Sequence, residues 1–463
     1  MYQKTDYAVK LGGKTLDAIS RNLGLKQGCP LSPMLFNIYM DDVNDIFDNL
    51  CEPIDIQDNK INHFLYADDL VLISQSKAGL QRCIDKLYHF SNRKHLTIST
   101  KKSKTMTFNP SGRLIKDTFN LGNKTLENVQ TFCYLGFEVT TSGTVTHAMN
   151  TLSDKAKKAL RPLMCTIARF NIPVKTAIRL FHTFISPILL YNAENWTVLT
   201  EKKLRNIDRC SIFSGWCKTS KVDIIHRKLL KYVLGVSKSC PNLAIYGDTG
   251  EIPMSLKCYR LMLNFWHRVT HLEDNSLAKS AMLENITLRT NWIKTVEKLI
   301  NFFNLSDYSE NLENFKIKNK LSIHSSYSRF WEDELKNPDL SRLQFYSTVK
   351  SQLKLEEYLE VHTFENRRII AKLRCSDHSL EIEKGRHRDA PRENRICKVC
   401  TEGEIENEEH FLIKCNLYDN LRKKHKVDHI NNTGDFMNNL EPVKLGEYLA
   451  EALKERECKI WRA

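Results

Sequence analysis

The sequence predicts an α+β fold, with small antiparallel strands in the first third and helices through most of the remainder. Three observations carry this. Up to about residue 145, short apolar runs of strand length alternate with turn residues. From about residue 150 the apolar period becomes that of a helix. Near Cys397 a cluster of Cys and His residues marks a small module with its own spacing. The 463 residues are 41% hydrophobic and 27% charged, which excludes a disordered chain and suggests two to four domains.

Charge narrows the partner. The net charge is +14 and the pI about 9.0, which favours a polyanion, nucleic acid ahead of a membrane surface. The first residues, Met1-Tyr2-Gln3-Lys4-Thr5-Asp6, carry no apolar leader. No stretch approaches 18 apolar residues, so no membrane span is predicted. The fourteen cysteines are scattered and read as reduced thiols of an intracellular protein, nuclear or cytoplasmic and not secreted. The oligomeric state is not legible.

Taken in order, residues 1–20 contain strand-like pieces around Gly12-Gly13. A glycine-punctuated stretch follows, Asn22-Leu23-Gly24-Leu25-Lys26-Gln27-Gly28-Cys29-Pro30-Leu31-Ser32-Pro33. Ser32 as cap and Pro33 at the first position predict a helix. It would run through Leu35, Phe36, Ile38, Tyr39, Val43, Ile46 and Phe47. Phe64–Tyr66 and Leu70–Ile73 read as two strands, with Asp68 and Asp69 at the turn between them. Adjacent acids resist joint ionisation unless a cation compensates, and hard oxygen ligands suit Mg²⁺ or Mn²⁺. Asp-Asp is also a common plain turn. Leu80, Ile84 and Leu87 predict an amphipathic helix. Leu96 to Met106 is a basic loop with Lys102 and Lys104, and Phe132-Cys133-Tyr134-Leu135-Gly136 is a short aromatic strand.

Farther along, Ala156, Leu160, Leu163 and Ile167 line one helical face, and Ala177, Leu180, Phe181, Phe184 and Ile188 another. Lys155, Lys157, Lys158, Arg161, Lys175 and Arg179 lie between them. Residues 270–370 carry no motif beyond helical stretches at Trp292–Phe303 and Tyr327–Leu335. Cys397-x2-Cys400-x9-His410-x4-Cys415 offers three thiolates and an imidazole, a closed set for structural zinc, with Cys-x2-Cys as a knuckle and His-x4-Cys at a helix start. Cys375 and His378 compete for ligand roles, and Arg386, His387, Arg388, Arg392 and Arg395 supply nearby positive charge.

Leu25 to Asn37, followed by Tyr66-Ala67-Asp68-Asp69, resembles motifs B and C of the palm in non-LTR (LINE-type) retrotransposon reverse transcriptases. Leu96–Met106 resembles motif D, Phe132–Gly136 motif E, and residues 381–422 the zinc knuckle-like region after the polymerase in such elements. The resemblance implies an RNA-directed DNA polymerase using two divalent ions, with a template-primer of RNA and DNA as partner. Asp68 would be the metal ligand and Asp69 its supporting acid. Lys102 or Lys104 would protonate the leaving pyrophosphate. Gln27, Gly28, Pro30, Tyr66, Leu135 and Gly136 would contact template, nucleotide or primer.

The implied layout is a partial palm at 1–145 and a helical thumb at 146–235. A helical connecting region at 236–375, a Cys2HisCys module at 376–425 and a helical tail at 426–463 follow. The family's motif A carboxylate is not found. Asp6 and Asp17 lie in no apolar strand, and Asp41 and Asp42 follow motif B. The expectation is therefore a chain that starts just before motif B, with half a metal site and no synthesis alone. It would be a truncated remnant or a sequence whose start is placed too late, and its alternative role is nucleic-acid binding without catalysis.

Overall fold

A computed structural model describes residues 5–462 apart from 22, 23, 27, 206, 306–310, 338, 340 and 361–363. The described residues form an α+β fold of two compact units. The first comprises Met1–Thr144 with Glu273–Glu284, and the second Val145–Leu272 with Asn285–Ala463.

Strands in the first unit are short because turn residues interrupt every apolar run. Ile54–Ile56 pairs with Asn59–Ile61, His63–Tyr66 with Asp69–Leu72, and Thr131–Tyr134 with Phe137–Thr140, all antiparallel. Every sheet among the described residues has two strands, so the expected small antiparallel strands form a set of separate ribbons. One ribbon, Lys104–Thr105 with Glu127–Asn128, is parallel. Strands of two to four residues present too few ladder groups to recruit a third neighbour.

The helix after the glycine stretch spans Ser32–Met40. Ser32 is not its cap. Leu31 occupies that position, and the Ser32 hydroxyl donates to the Lys26 carbonyl at 2.9 Å. The α-helix also ends earlier than its apolar pattern suggests. Asp41–Asp45 tightens into a 3₁₀ turn, where the Asn44 amide donates to the Asp41 carbonyl at 3.0 Å. The Lys77–Arg93 helix follows its prediction, and the Ser76 side chain caps it by accepting from Gly79 N–H at 3.0 Å.

Two small cores result. Met40, Val43 and Phe90 are buried together, with Phe36, Phe47, Leu65 and Leu87 packed against them. Ile84, Phe119, Leu121 and Leu126 form the other, joined by Leu72 and Leu80. Leu65 and Leu72 belong to the Asp68 hairpin, so its two strands are anchored in different cores.

The second unit is helical. Its helices include Thr146–Arg169, Val174–Phe184, Lys221–Leu234, Met254–Thr270, Leu312–Leu335, Phe364–Arg374 and Pro442–Arg462. Ala156, Leu160, Ile167, Ala177 and Phe181 are buried as their spacing predicts. Phe184 is not: it is 60% exposed, on the last residue of its helix, where the chain leaves the apolar face.

A charge hub holds this unit. Asp248 is fully buried and accepts from the Tyr346 hydroxyl at 2.8 Å, the Tyr358 hydroxyl at 2.6 Å and Arg374 Nε at 3.3 Å. Arg374 also pairs with Glu356 at 3.1 Å, and Lys350 pairs with Glu356. Two cations and two anions thus neutralise one another out of water, an arrangement that tolerates no missing member. No described helix is long and apolar enough to cross a membrane. All fourteen cysteines are free.

Candidate metal centres and nucleic-acid interface

The Asp68–Asp69 pair stands at a two-residue hairpin turn. Tyr66 and Asp69 face each other as the last paired residues, leaving Ala67 and Asp68 in the loop. Asp69 is thus a strand residue rather than a turn residue. Ala67 has φ of 52°, a left-handed conformation that costs a side-chain-bearing residue about 1 kcal/mol. Both carboxylates are exposed, and Tyr66 beside them is 65% exposed. Among the described residues they belong to no group of three or more clustered metal-ligating side chains.

The neighbouring motifs gather in the same unit. Leu65 of the Asp68 hairpin and Phe36 of the Ser32–Met40 helix pack against the same buried group, Met40, Val43 and Phe90. In the aromatic hairpin, Leu135 and Gly136 form the turn, with φ of 47° and 81°. Burial raises the Tyr134 pKa, and the Asp69 charge raises it further, so Tyr134 of this hairpin lies within electrostatic reach of Asp69.

The two lysines differ. Lys104 pairs with Glu127 at 2.5 Å, whereas Lys102 is exposed in the turn before that strand. Gly28 has φ of 80°, where a side chain would be strained, and Pro30 is exposed. Gln27 lies outside the described residues. Asp42 is committed to Lys94 at 2.5 Å, which lowers its pKa.

Cys397, Cys400, His410 and Cys415 converge in the second unit, with their ligand atoms all within 4.8 Å of one another. Cys400 Sγ lies 3.4 Å from His410 Nε2. Zn–S and Zn–N bonds of ordinary length place such atoms about 3.5 Å apart on a tetrahedron. The knuckle forms as Cys397 N–H donates to the Glu404 carbonyl at 2.8 Å. Cys415 returns to His410 through a wide helical turn, His410–Lys414, closed by Cys415 N–H donating to the His410 carbonyl at 2.8 Å.

The surroundings of the cluster suit a metal too. Glu404 lies 3.4 Å from His410 Nδ1, the backing that orients a ligating imidazole with Nε2 forward. Without metal, the Cys415 thiol donates to Cys397 and draws the Cys397 pKa well down, while that of Cys415 rises. Beneath the cluster Glu406 accepts two bonds from Arg456, both at 2.6 Å, with both side chains buried.

The rival ligands are engaged elsewhere. His378 pairs with Glu408 at 2.9 Å, and buried Cys375 lies at the Asp248 hub. The arginines expected to supply positive charge near the module also have protein partners. Arg386 pairs with Glu383 at 2.9 Å, Arg388 with Glu381, and Arg395 donates to the Ile382 and Ala390 carbonyls. Arg392 reaches Gln344, and His387 is exposed. Spacing alone missed these partners because buried glutamates on the same short helix claim the cations. Exposed basic side chains remain on the Thr146–Arg169 and Val174–Phe184 helices at Lys155, Lys158, Arg161 and Arg179.

Comparison with known proteins bears on the first unit above all. Residues 2–139 match the family described as reverse transcriptase (RNA-dependent DNA polymerase). The chain is similar to the retrovirus-related Pol polyprotein from type-1 retrotransposable element R2 of Bradysia coprophila, 27% identical over 271 residues, 56% of this chain and 28% of that protein. The Nasonia vitripennis counterpart is 29% identical over 165 residues, 32% of this chain and 16% of that protein. The type-2 element R2DM polyprotein of Drosophila melanogaster is 33% identical over 132 residues, 26% of this chain and 12% of that protein. The chain thus spans less than a third of the length of each.

Proposed function

We propose that this chain, whose residues 2–139 are a reverse transcriptase segment of the R2-type retrotransposon class, grips a template-primer of RNA and DNA. The observation that carries this reading is the strained hairpin tip, with two exposed carboxylates, an exposed tyrosine and a second hairpin within electrostatic reach. In this reading the first unit acts as palm and the basic helices of the second as thumb, holding the duplex by its phosphates.

Asp68 and Asp69 would hold Mg²⁺ or Mn²⁺, whose chemistry when bound is to activate the primer hydroxyl and neutralise the leaving pyrophosphate. Asp68 binds, and Asp69 supports it from the strand. Lys102 is the better proton donor, since Glu127 already holds Lys104. Gly28 and Pro30 would contact template and nucleotide, a role Gln27 would share by its place in the sequence; Tyr66 offers a stacking surface, and Leu135 and Gly136 would contact the primer end. The Cys397, Cys400, His410 and Cys415 set binds one structural zinc, which Cys400→Ser releases.

Two-metal transfer needs a third carboxylate, and none is clustered with these two among the described residues. The chain by itself is therefore expected to bind template-primer without extending it. Primer extension on an RNA template with Mg²⁺ is the test. Duplex binding that weakens steeply with salt, without extension, supports the reading. Robust synthesis lost in Asp68→Ala would show a complete site instead. Binding indifferent to salt would remove the nucleic-acid role altogether.

A further inference from the structure

One grouping of ligand side chains lies far in sequence from any motif. His182 comes from the last turn of the Val174–Phe184 helix and His226 from the Lys221–Leu234 helix. Glu251 follows Gly250, whose φ of 65° turns the chain between two helices. Glu251 Oε2 lies 3.0 Å from His182 Nε2 and 3.5 Å from His226 Nε2. The three ligand atoms lie within 4.8 Å of one another. Zinc bonds to nitrogen and carboxylate oxygen would set neighbouring ligand atoms about 3.3 Å apart, and the two observed separations bracket that value.

Hydrogen bonding accounts for only part of this cluster. Lys257 Nζ lies 3.3 Å from Glu251 Oε2 and 3.1 Å from His182 Nε2, so those three groups satisfy one another. His226 is left over. It is fully buried and stacked on Phe181, and its Nε2 reaches Glu251 Oε2 only at 3.5 Å, the long limit of a hydrogen bond. A buried imidazole held this loosely, beside a carboxylate and a second imidazole, has the character of an unused ligand.

We propose that His182, His226 and Glu251 form a second divalent-metal site, of zinc type, for which the Lys257 ammonium competes. Two neutral nitrogens and one carboxylate are a three-ligand set with an open position. Glu251 and Lys257 both line a cavity of about 160 Å³ that Arg260, Lys320 and His324 share. That space admits the Lys257 side chain when an ion takes its place beside Glu251. The basic neighbours oppose a dication, so this site is weaker than the Cys397 cluster.

Zinc titration of the full chain, read as metal bound per folded protein, tests this, with Co²⁺ as spectroscopic probe. Two equivalents are expected. One carries thiolate charge-transfer bands, and the other, weaker one carries only the ligand-field bands of nitrogen and oxygen ligands. His182→Ala should remove the second and keep the first. Lys257→Met should tighten the second by about tenfold or more, since it removes a neighbouring positive charge. A second equivalent that survives His182→Ala overturns the proposal. So does a Lys257→Met protein that binds only the zinc lost in Cys400→Ser.

Discussion

Asp68 and Asp69 are exposed at the tip of a two-residue turn, whereas Asp248 is wholly buried and receives two tyrosine hydroxyls and an arginine. The first pair gains little from the fold and is available to a ligand. The second is consumed by the fold and available to nothing. The same side chain serves opposite ends because water screens one and not the other. Exposure at a strained turn marks a residue that stability alone would not place there.

Breaking the hub should give the largest effect. Arg374→Met leaves Asp248 and Glu356 short of a cation in a dry interior, and unfolding in denaturant should show a loss of about 3–5 kcal/mol. A loss below about 1 kcal/mol would mean the hub is solvated.

A second buried acid sharpens the contrast. Asp223 is fully buried, with Oδ1 accepting from Ser255 N–H at 3.1 Å and Oδ2 without a partner. Burial raises its pKa to about 6. The folded state therefore prefers the protonated acid. The stability this contributes is complete below the unfolded value of 3.8 and lost as pH rises through about 6. Relative to Asp223→Asn, the native protein should lose about 2 kcal/mol between pH 4 and pH 7. A difference independent of pH would refute the shift.

Ala67→Gly should act in the opposite direction. It relieves the left-handed strain at the tip but loosens the unfolded chain, so the net gain is at most about 1 kcal/mol in thermal unfolding. A clear loss would mean that the methyl group packs. The smallest change in stability is expected for Asp68→Asn, within about 0.5 kcal/mol, measured beside Mg²⁺ or Mn²⁺ binding, which should fall strongly. If stability drops by several kcal/mol, Asp68 belongs with Asp248 and the comparison fails.

What could be read from the sequence divides along the same line. Tyr66-Ala67-Asp68-Asp69 and Cys397-x2-Cys400 are local, since their chemistry needs residues within a few positions, and composition exposes them. The ribbon carrying Asp68 and the helix after Ser76 also followed from local patterning. The hub did not. Asp248 meets Glu356 and Arg374 across more than a hundred residues, and Tyr346 and Tyr358 lie in a stretch whose pattern carried no motif. His182, His226 and Glu251 were hidden for the same reason, since no spacing rule links residues brought together by three helix packings. Arg386 and Arg388 show the converse: a run of positive charge was legible, but its buried partners Glu383 and Glu381 were not.

The Arg456–Glu406 pair carries one more consequence. Arg456 reaches from the Pro442–Arg462 helix to a buried carboxylate that also accepts from Glu381 N–H and lies 3.9 Å from Cys397 Sγ. The Cys/His module is therefore not a bead on a string that folds around its ion alone. Removing the last helix would strand an anion directly under a thiolate cluster, raising the local negative charge where the ligands already crowd it. The last helix and the module form a single cooperative element, and hydrogen exchange in one should report the state of the other.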